Sequence, residues 1–148
     1  MVIQQQEVTT CPQYGHRQVT LICGPPGSGK STLARQLHNH VLELESITAE
    51  TWRLRLKLFG RACYRIGRDP LAQAAVVRGA PTQAEREHHA KLCKPSKIIV
   101  LLTPADVCHR RVAERNRPSV ENEHAAIDAW WRAWNAEHVE DLETTRTW

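Results

Sequence analysis

The run GPPGSGKST, Gly24 to Thr32, constrains this chain more than any other stretch. Gly24, Gly29, Lys30 and Ser31 meet the spacing G-x-x-x-x-G-K-[ST]. Such a loop turns back on itself, so that successive backbone N–H groups point inward at phosphate oxygens. Gly24, Gly27 and Gly29 remove Cβ atoms where backbone and phosphate come close. A helix starting here adds unpaired N–H groups and a positive dipole end. The flanks agree with this reading. QVTLIC (18–23) is a β-branched and aliphatic run that reads as a buried strand. KSTLARQLHNH follows, with Leu33, Ala34 and Leu37 on one helical face. Gly24, Pro25, Pro26, Gly27, Ser28, Gly29, Lys30, Ser31 and Thr32 are therefore expected to cradle ATP or another nucleoside triphosphate. Lys30 would reach the β/γ phosphates and the Ser31 hydroxyl would ligate Mg²⁺.

Beyond the loop, strand and helix patterns alternate. VLELE (41–45) reads as a second short strand. The segment from about 49 to 67 carries both periods: WRLRLKL alternates, while Trp52, Leu56, Phe59 and Cys63 recur at helical spacing. Helix is favoured, because a crossover must precede the next strand. AQAAVVRG (72–79) is a third strand and KIIVLLT (97–103) the clearest one. TQAEREHHAKLC (82–93) is a helix with Thr82 as N-cap and Glu85 three residues on, a capping-box pattern. PADVCHRRVAERN is a helix with Pro104 at its first position and Asp106 in its first turn, and RPS breaks it. A last helix, about 121 to 138, is expected to bury Ile127, Trp130, Trp131 and Trp134. The alternation predicts an α/β fold of the P-loop NTPase kind: three layers, α/β/α, around a mostly parallel sheet of four to five strands, with a short lid. Residues 1–16 read as a tail or an extra strand, and 17–148 as a single domain.

Composition narrows the setting. No apolar run approaches the length of a membrane span, and MVIQQQEVTT lacks the basic-then-apolar order of a signal peptide. The five cysteines, at 11, 23, 63, 93 and 108, form no CxxC pair. An odd number so spaced favours free thiols and a cytoplasmic location, in host or cell. The formal charge of +4 permits an anionic partner without demanding one.

A hydrolytic motor would place a carboxylate at the end of a Walker B strand. Here AQAAVVRG ends in Arg78-Gly79 and KIIVLLTP in Thr103-Pro104. The carboxylates that close a strand are Glu43 and Glu45. Either they orient an acceptor hydroxyl and take its proton, with Glu45 the better placed, or they are solvated edge charges. Arg110, Arg111, Arg115 and Arg117 cluster just before Pro118, with Arg111 and Arg115 on one helical face. Such forks suit phosphoryl oxygens. A second series, Arg53, Lys57, Arg61 and Arg65, follows one helical stripe. It is a candidate track for a nucleic acid or nucleotide acceptor, the alternative being a face that serves solubility alone. His88, His89 and Cys93 supply too few ligands at metal spacing to make a site.

Three segments carry a family resemblance over about residues 18 to 136: LICGPPGSGKST, VVRGAPTQAERE and VCHRRVAERNRPSVENEHAAIDAWW. The sequence resembles small P-loop kinases, namely the phage 5′-hydroxyl polynucleotide kinase domain and the gluconate, shikimate and chloramphenicol kinases. It is also similar to short phage-type AAA-domain ATPases. The resemblance implies an ATP·Mg²⁺-dependent phosphotransferase with Arg115 or Arg117 as lid arginine and a base at the end of the second strand. Two positions depart from it: glutamates replace the family's aspartate base, and Arg78-Gly79 replaces a polar or acidic position after the third strand. The expected activity is transfer of the γ-phosphate to a hydroxyl on a nucleic acid end or nucleotide. The alternative is a nucleotide-binding regulatory or assembly module, or an ATPase with little or no phosphotransfer.

Overall fold

The computed structural model describes the backbone of residues 4–9 and the full residues 17–138. Residues 1–3, 10–16 and 139–148, which include part of the expected N-terminal tail and Cys11, lie outside the described residues. The strands are β1 (Gln4–Thr9), β2 (Gln18–Cys23), β3 (Val41–Leu42), β4 (Gln73–Arg78) and β5 (Lys97–Leu102). They form one sheet in the order β1-β5-β2-β4-β3. The four strands β2 to β5 run parallel, and β1 joins the outer edge of β5 antiparallel, Gln4 opposite Leu102. The helices are α1 (Lys30–Leu37), α2 (Trp52–Arg68), α3 (Gln83–Cys93), α4 (Ala105–Arg115) and α5 (Val120–Glu137).

β2 lies between β4 and β5, and a parallel strand covered on both faces needs a continuous apolar run. Val19 to Cys23 are accordingly all buried. Alternate residues serve opposite layers. Val19, Leu21, Cys23 and Val76 belong to a core with Phe59, Cys63 and Ile66 of α2, Cys93 of α3, and Trp130 and Trp134 of α5. Ile22, Ala75, Val77, Ile99 and Leu101 form a second core with Leu33 and Ala34 of α1. This is the expected three-layer P-loop architecture. Both bonds of the Thr82–Glu85 capping box are formed at the start of α3. Cys23, Cys63, Cys93 and Cys108 are free and buried, and burial pushes the Cys23 and Cys93 thiols up to about 12.

Four local expectations need correction. The strand expected over 41–45 stops at Leu42, and Leu44–Ser46 is a 3₁₀ turn. Among the described residues β3 is an edge strand paired with β4 alone, and Ser46 bends the chain by donating to the Glu43 carbonyl from both its N–H, at 3.3 Å, and its Oγ, at 2.8 Å. Leu37, expected on the buried face of α1, is 47% exposed. Trp131 is only half-buried, because Ile127, Trp130 and Trp134 already share one face and the next residue lies on its shoulder. Pro104 takes the N-cap position of α4, one residue before the helix.

One arginine ties the far end of the fold together. Arg17 donates to the carbonyls of Ile66 (3.1 Å) and Asp69 (3.1 Å) at the end of α2, and to those of Cys93 (2.8 Å) and Lys94 at the end of α3. Helix C-termini leave such carbonyls unpaired, and a cation there also meets the negative dipole end.

Candidate active site

The phosphate loop joins β2 to α1. Gly27 and Gly29 hold φ of 77° and 96°, a region where glycine carries no Cβ penalty. At Gly27 a Cβ would also stand 2.8 Å from the Cys108 carbonyl of α4, so that helix closes directly on the loop. The loop is braced from the ends of two neighbouring strands, β4 and β5. Gly24 N–H donates to the Gly79 carbonyl after β4 at 3.1 Å, and the same carbonyl accepts from Trp130 Nε1 at 2.8 Å. Thr103, after β5, donates from Oγ1 to the Ser28 carbonyl at 3.0 Å. Lys30 Nζ donates to the Pro25 carbonyl at 2.7 Å, folding the side chain back over the loop. Burial lowers the Lys30 ammonium from 10.5 to about 8, opposed chiefly by the charge of Glu45.

A cavity of about 470 Å³ opens over this loop, within the range of small-ligand sites. Gly24, Pro26, Gly27, Gly29, Lys30, Ser31 and Thr32 form one wall. Glu43, Leu44 and Glu45, after β3, line the same cavity, as do Arg78 and Gly79 from the end of β4. Both glutamates thus reach the cavity from the bend after β3 and not from strand alternation. Glu45 is exposed, whereas Glu43 is half-buried and its Oε1 is buried without a hydrogen-bond partner among the described residues. Pro25 is fully buried beneath the loop and lends the carbonyl that Lys30 holds.

Arg115 and Arg117 close the rim across the break at Asn116, whose backbone takes the left-handed conformation, φ 46°. Both reach Glu123 Oε1, at 3.5 and 3.7 Å. Glu123 was not among the residues expected from the sequence. Its one legible signal is an acid in the first turn of α5. Arg111 faces elsewhere. It lines a second cavity with Ser28, Leu33 and Gln36, and its Nη1 donates to the Gly27 carbonyl at 3.2 Å, bracing the loop from outside. Arg110 is exposed and lies 4.0 Å from Asp106. Arg53, Lys57, Arg61 and Arg65 are all exposed on α2, away from the main cavity, beside Tyr64 and a shallow groove at Gly60. His89 is occupied by Arg78, and among the described residues no three histidines, cysteines or acids gather as metal ligands.

The family profile described as "AAA domain" matches residues 19–139, which takes in the loop, the turn after β3 and the rim. The chain belongs to the AAA domain family. Among curated proteins, the chain is similar to a polynucleotide 5′-hydroxyl-kinase, grc3, of Aspergillus niger. The two are 57% identical over 35 residues, which is 24% of this chain and 4% of that protein's length. This AAA domain is thus a nucleotide-binding, kinase-like P-loop protein, a kinase or an ATPase. Among its described residues no helix is long and apolar enough to cross a membrane.

Lys30 gives this AAA domain a measurable pH signature. With an ammonium near 8 in the empty loop, the group is largely neutral at pH 9. A bound phosphate favours the charged form and restores the proton. Nucleotide binding should therefore draw protons from solution between about pH 7.5 and 9.5, and affinity should fall about tenfold from pH 7 to 9. Calorimetric titration in buffers of different ionisation enthalpy reads both. Pure proton release, or a flat profile, would contradict it.

Proposed function

We propose that the protein transfers the γ-phosphate of ATP to a hydroxyl, on a nucleic acid end or a nucleotide. The observation that carries this reading is one cavity lined both by the phosphate loop with Lys30 and by the carboxylates Glu43 and Glu45. An acceptor hydroxyl needs a carboxylate to orient it and take its proton, and here the carboxylates follow β3, whereas β4 and β5 end without one. The partial similarity to a polynucleotide 5′-hydroxyl-kinase supports a nucleic acid acceptor, and the exposed Arg53, Lys57, Arg61 and Arg65 offer its backbone a cationic track.

The loop N–H groups and Lys30 hold the β and γ phosphates. Glu45 accepts the acceptor's proton as the oxygen attacks the γ phosphorus and the bond to the β,γ-bridging oxygen breaks. Arg115 and Arg117 meet the charge that spreads over the transferring phosphoryl oxygens. Arg111 keeps the loop in shape through Gly27. The site also fits Mg²⁺: Ser31, in the first turn of α1, lines the cavity, and the orphaned Glu43 Oε1 is an oxygen that a hydrated cation would satisfy. Ser31 and Glu43 would hold the ion, which supplies neutralisation of phosphate charge when bound.

Incubation with γ-labelled ATP and 5′-hydroxyl oligonucleotides, nucleosides and small polyols tests the reading. Label should move to one of these acceptors, and Glu45→Gln should lower transfer at least about 100-fold with ATP binding intact. Full activity in that variant removes Glu45 as base, and transfer to none of the acceptors sinks the proposal. One observation favours a second reading, a nucleotide-binding regulatory module: β4 ends in Arg78 and not in a carboxylate. Salt-sensitive nucleic acid binding without transfer would establish it.

A further inference from the structure

Neither conformation nor packing calls for the glycine at position 60. It sits in mid-helix on α2, where glycine costs about 0.5–1 kcal/mol against alanine. Its φ is not positive, and an added Cβ would meet nothing within 4 Å. What Gly60 leaves is the open floor of a groove of about 410 Å³, lined also by Lys57, Arg61, Tyr64 and Arg65. Tyr64 is 47% exposed, and the guanidinium carbon of Arg68 stands 4.5 Å from its ring centroid. Gly60 lies one turn before Tyr64, and Arg68 one turn after it. No acid occurs between Glu50 and Asp69. Among the described residues Arg53, Lys57, Arg61 and Arg65 make no ion pair, so their charge is not neutralised within the chain.

A cationic groove with an aromatic wall and a bare backbone floor fits one class of partner. The cations call for a polyanion. A polyanion alone needs neither the ring nor the notch, whereas a planar base uses both: it stacks on the ring while its flanking phosphates meet the cations. The strands of a duplex keep their base faces to one another and offer none. We propose that the Gly60 groove binds a single-stranded polynucleotide, with one unpaired base over Gly60 against Tyr64 and the adjoining phosphodiesters on Lys57, Arg61 and Arg65. Arg68 acts as a positioning residue for the Tyr64 ring. This rests on the nucleic acid reading of the acceptor and deepens it. The groove shares no lining residue with the main cavity, so it grips the strand away from the reacting end.

The test is the binding of fluorescently labelled probes to the full chain. The probes are a short oligodeoxynucleotide, an abasic strand of the same length, the matching duplex and polyglutamate. The wild type should bind the base-bearing strand roughly 5- to 100-fold more tightly than the abasic one, the range of one stacked base. Tyr64→Ala removes the ring and Gly60→Gln fills the floor, and each should bring that ratio towards one. Tyr64→Phe should keep it. Arg61→Gln should weaken both strands alike and lessen the salt dependence. Gly60→Gln should unfold at a urea midpoint no lower than that of the wild type, which separates a filled groove from a damaged fold. Equal wild-type affinity for the base-bearing and abasic strands overturns the proposal. So does duplex or polyglutamate bound as tightly as the single strand, and so does an unchanged ratio in Gly60→Gln. The glutamine variant decides by itself should Tyr64→Ala fail to fold. Base-selective binding without phosphate transfer retains the groove and removes the transferase reading, whereas transfer without base preference in binding does the reverse.

Discussion

Lys30→Met is expected to lower phosphate transfer at least about 100-fold while leaving the empty protein as stable as the wild type at pH 7, or more stable. The first effect follows from removing a charged donor aimed at the phosphates in a site partly shielded from water. The second follows from the environment of the side chain. Burial lowers its ammonium to about 8, so the folded, empty protein holds that charge less readily than the unfolded chain does. Sign matters here: below pH 8 the buried charge opposes folding, and the penalty fades as pH rises towards 10.5, where the unfolded lysine also deprotonates. Methionine keeps the stem and removes the charge. A transfer assay with γ-labelled ATP, paired with urea unfolding at pH 7, separates the two effects. Wild-type transfer in the variant would exclude Lys30 from the reaction, and a large loss of stability would show that its bond to the Pro25 carbonyl holds the loop.

The second large effect concerns packing. A Cβ on Gly67 would lie 2.0 Å from the backbone carbonyl oxygen of Leu92 and 3.1 Å from its carbon. No side-chain rotation relieves a clash with backbone, so α2 and α3 would have to separate. Gly67→Ala should cost about 3 kcal/mol, the upper range of overpacking. Gly60 supplies the control within the same helix, because nothing lies within 4 Å of its added Cβ. Gly60→Ala should stabilise by about 0.5–1 kcal/mol, since alanine gives up less backbone freedom in a helix. Urea midpoints of the two variants should move in opposite directions. Matching shifts would mean that α2 and α3 can part freely, against the closeness of their backbones.

These residues also mark how far the sequence could be read. The phosphate loop was legible because its spacing, its glycines and its two flanks each answer to one physical need. The capping box of α3 was legible because Thr82 and Glu85 are neighbours in sequence as well as in space. The bend after β3 was not: VLELE alternates as a strand does, and only the sheet's edge and the Ser46 bonds end it at Leu42. Arg17 gave no signal at all, since its partners are main-chain carbonyls 49 to 77 residues away. Arg78 was read as a missing carboxylate, and its own place in the cavity wall needed the positions of Phe59 and His89. Helical spacing puts Arg111 and Arg115 on one face, and it cannot show that Arg111 bonds the Gly27 carbonyl and lines only the second cavity. Arg115 borders both.

The carbonyl of Gly79 accepts at once from the first residue of the phosphate loop and from the indole of Trp130. Indole emission responds to the hydrogen bond at its nitrogen, and Trp130 stacks on Trp134 at 5.5 Å between ring centroids. A nucleotide in the loop is expected to disturb the Gly24 bond to that shared carbonyl and, through it, the indole. Trp130 is thereby an expected intrinsic optical gauge of the loop's occupancy, readable as a change of tryptophan emission on nucleotide addition to unlabelled protein.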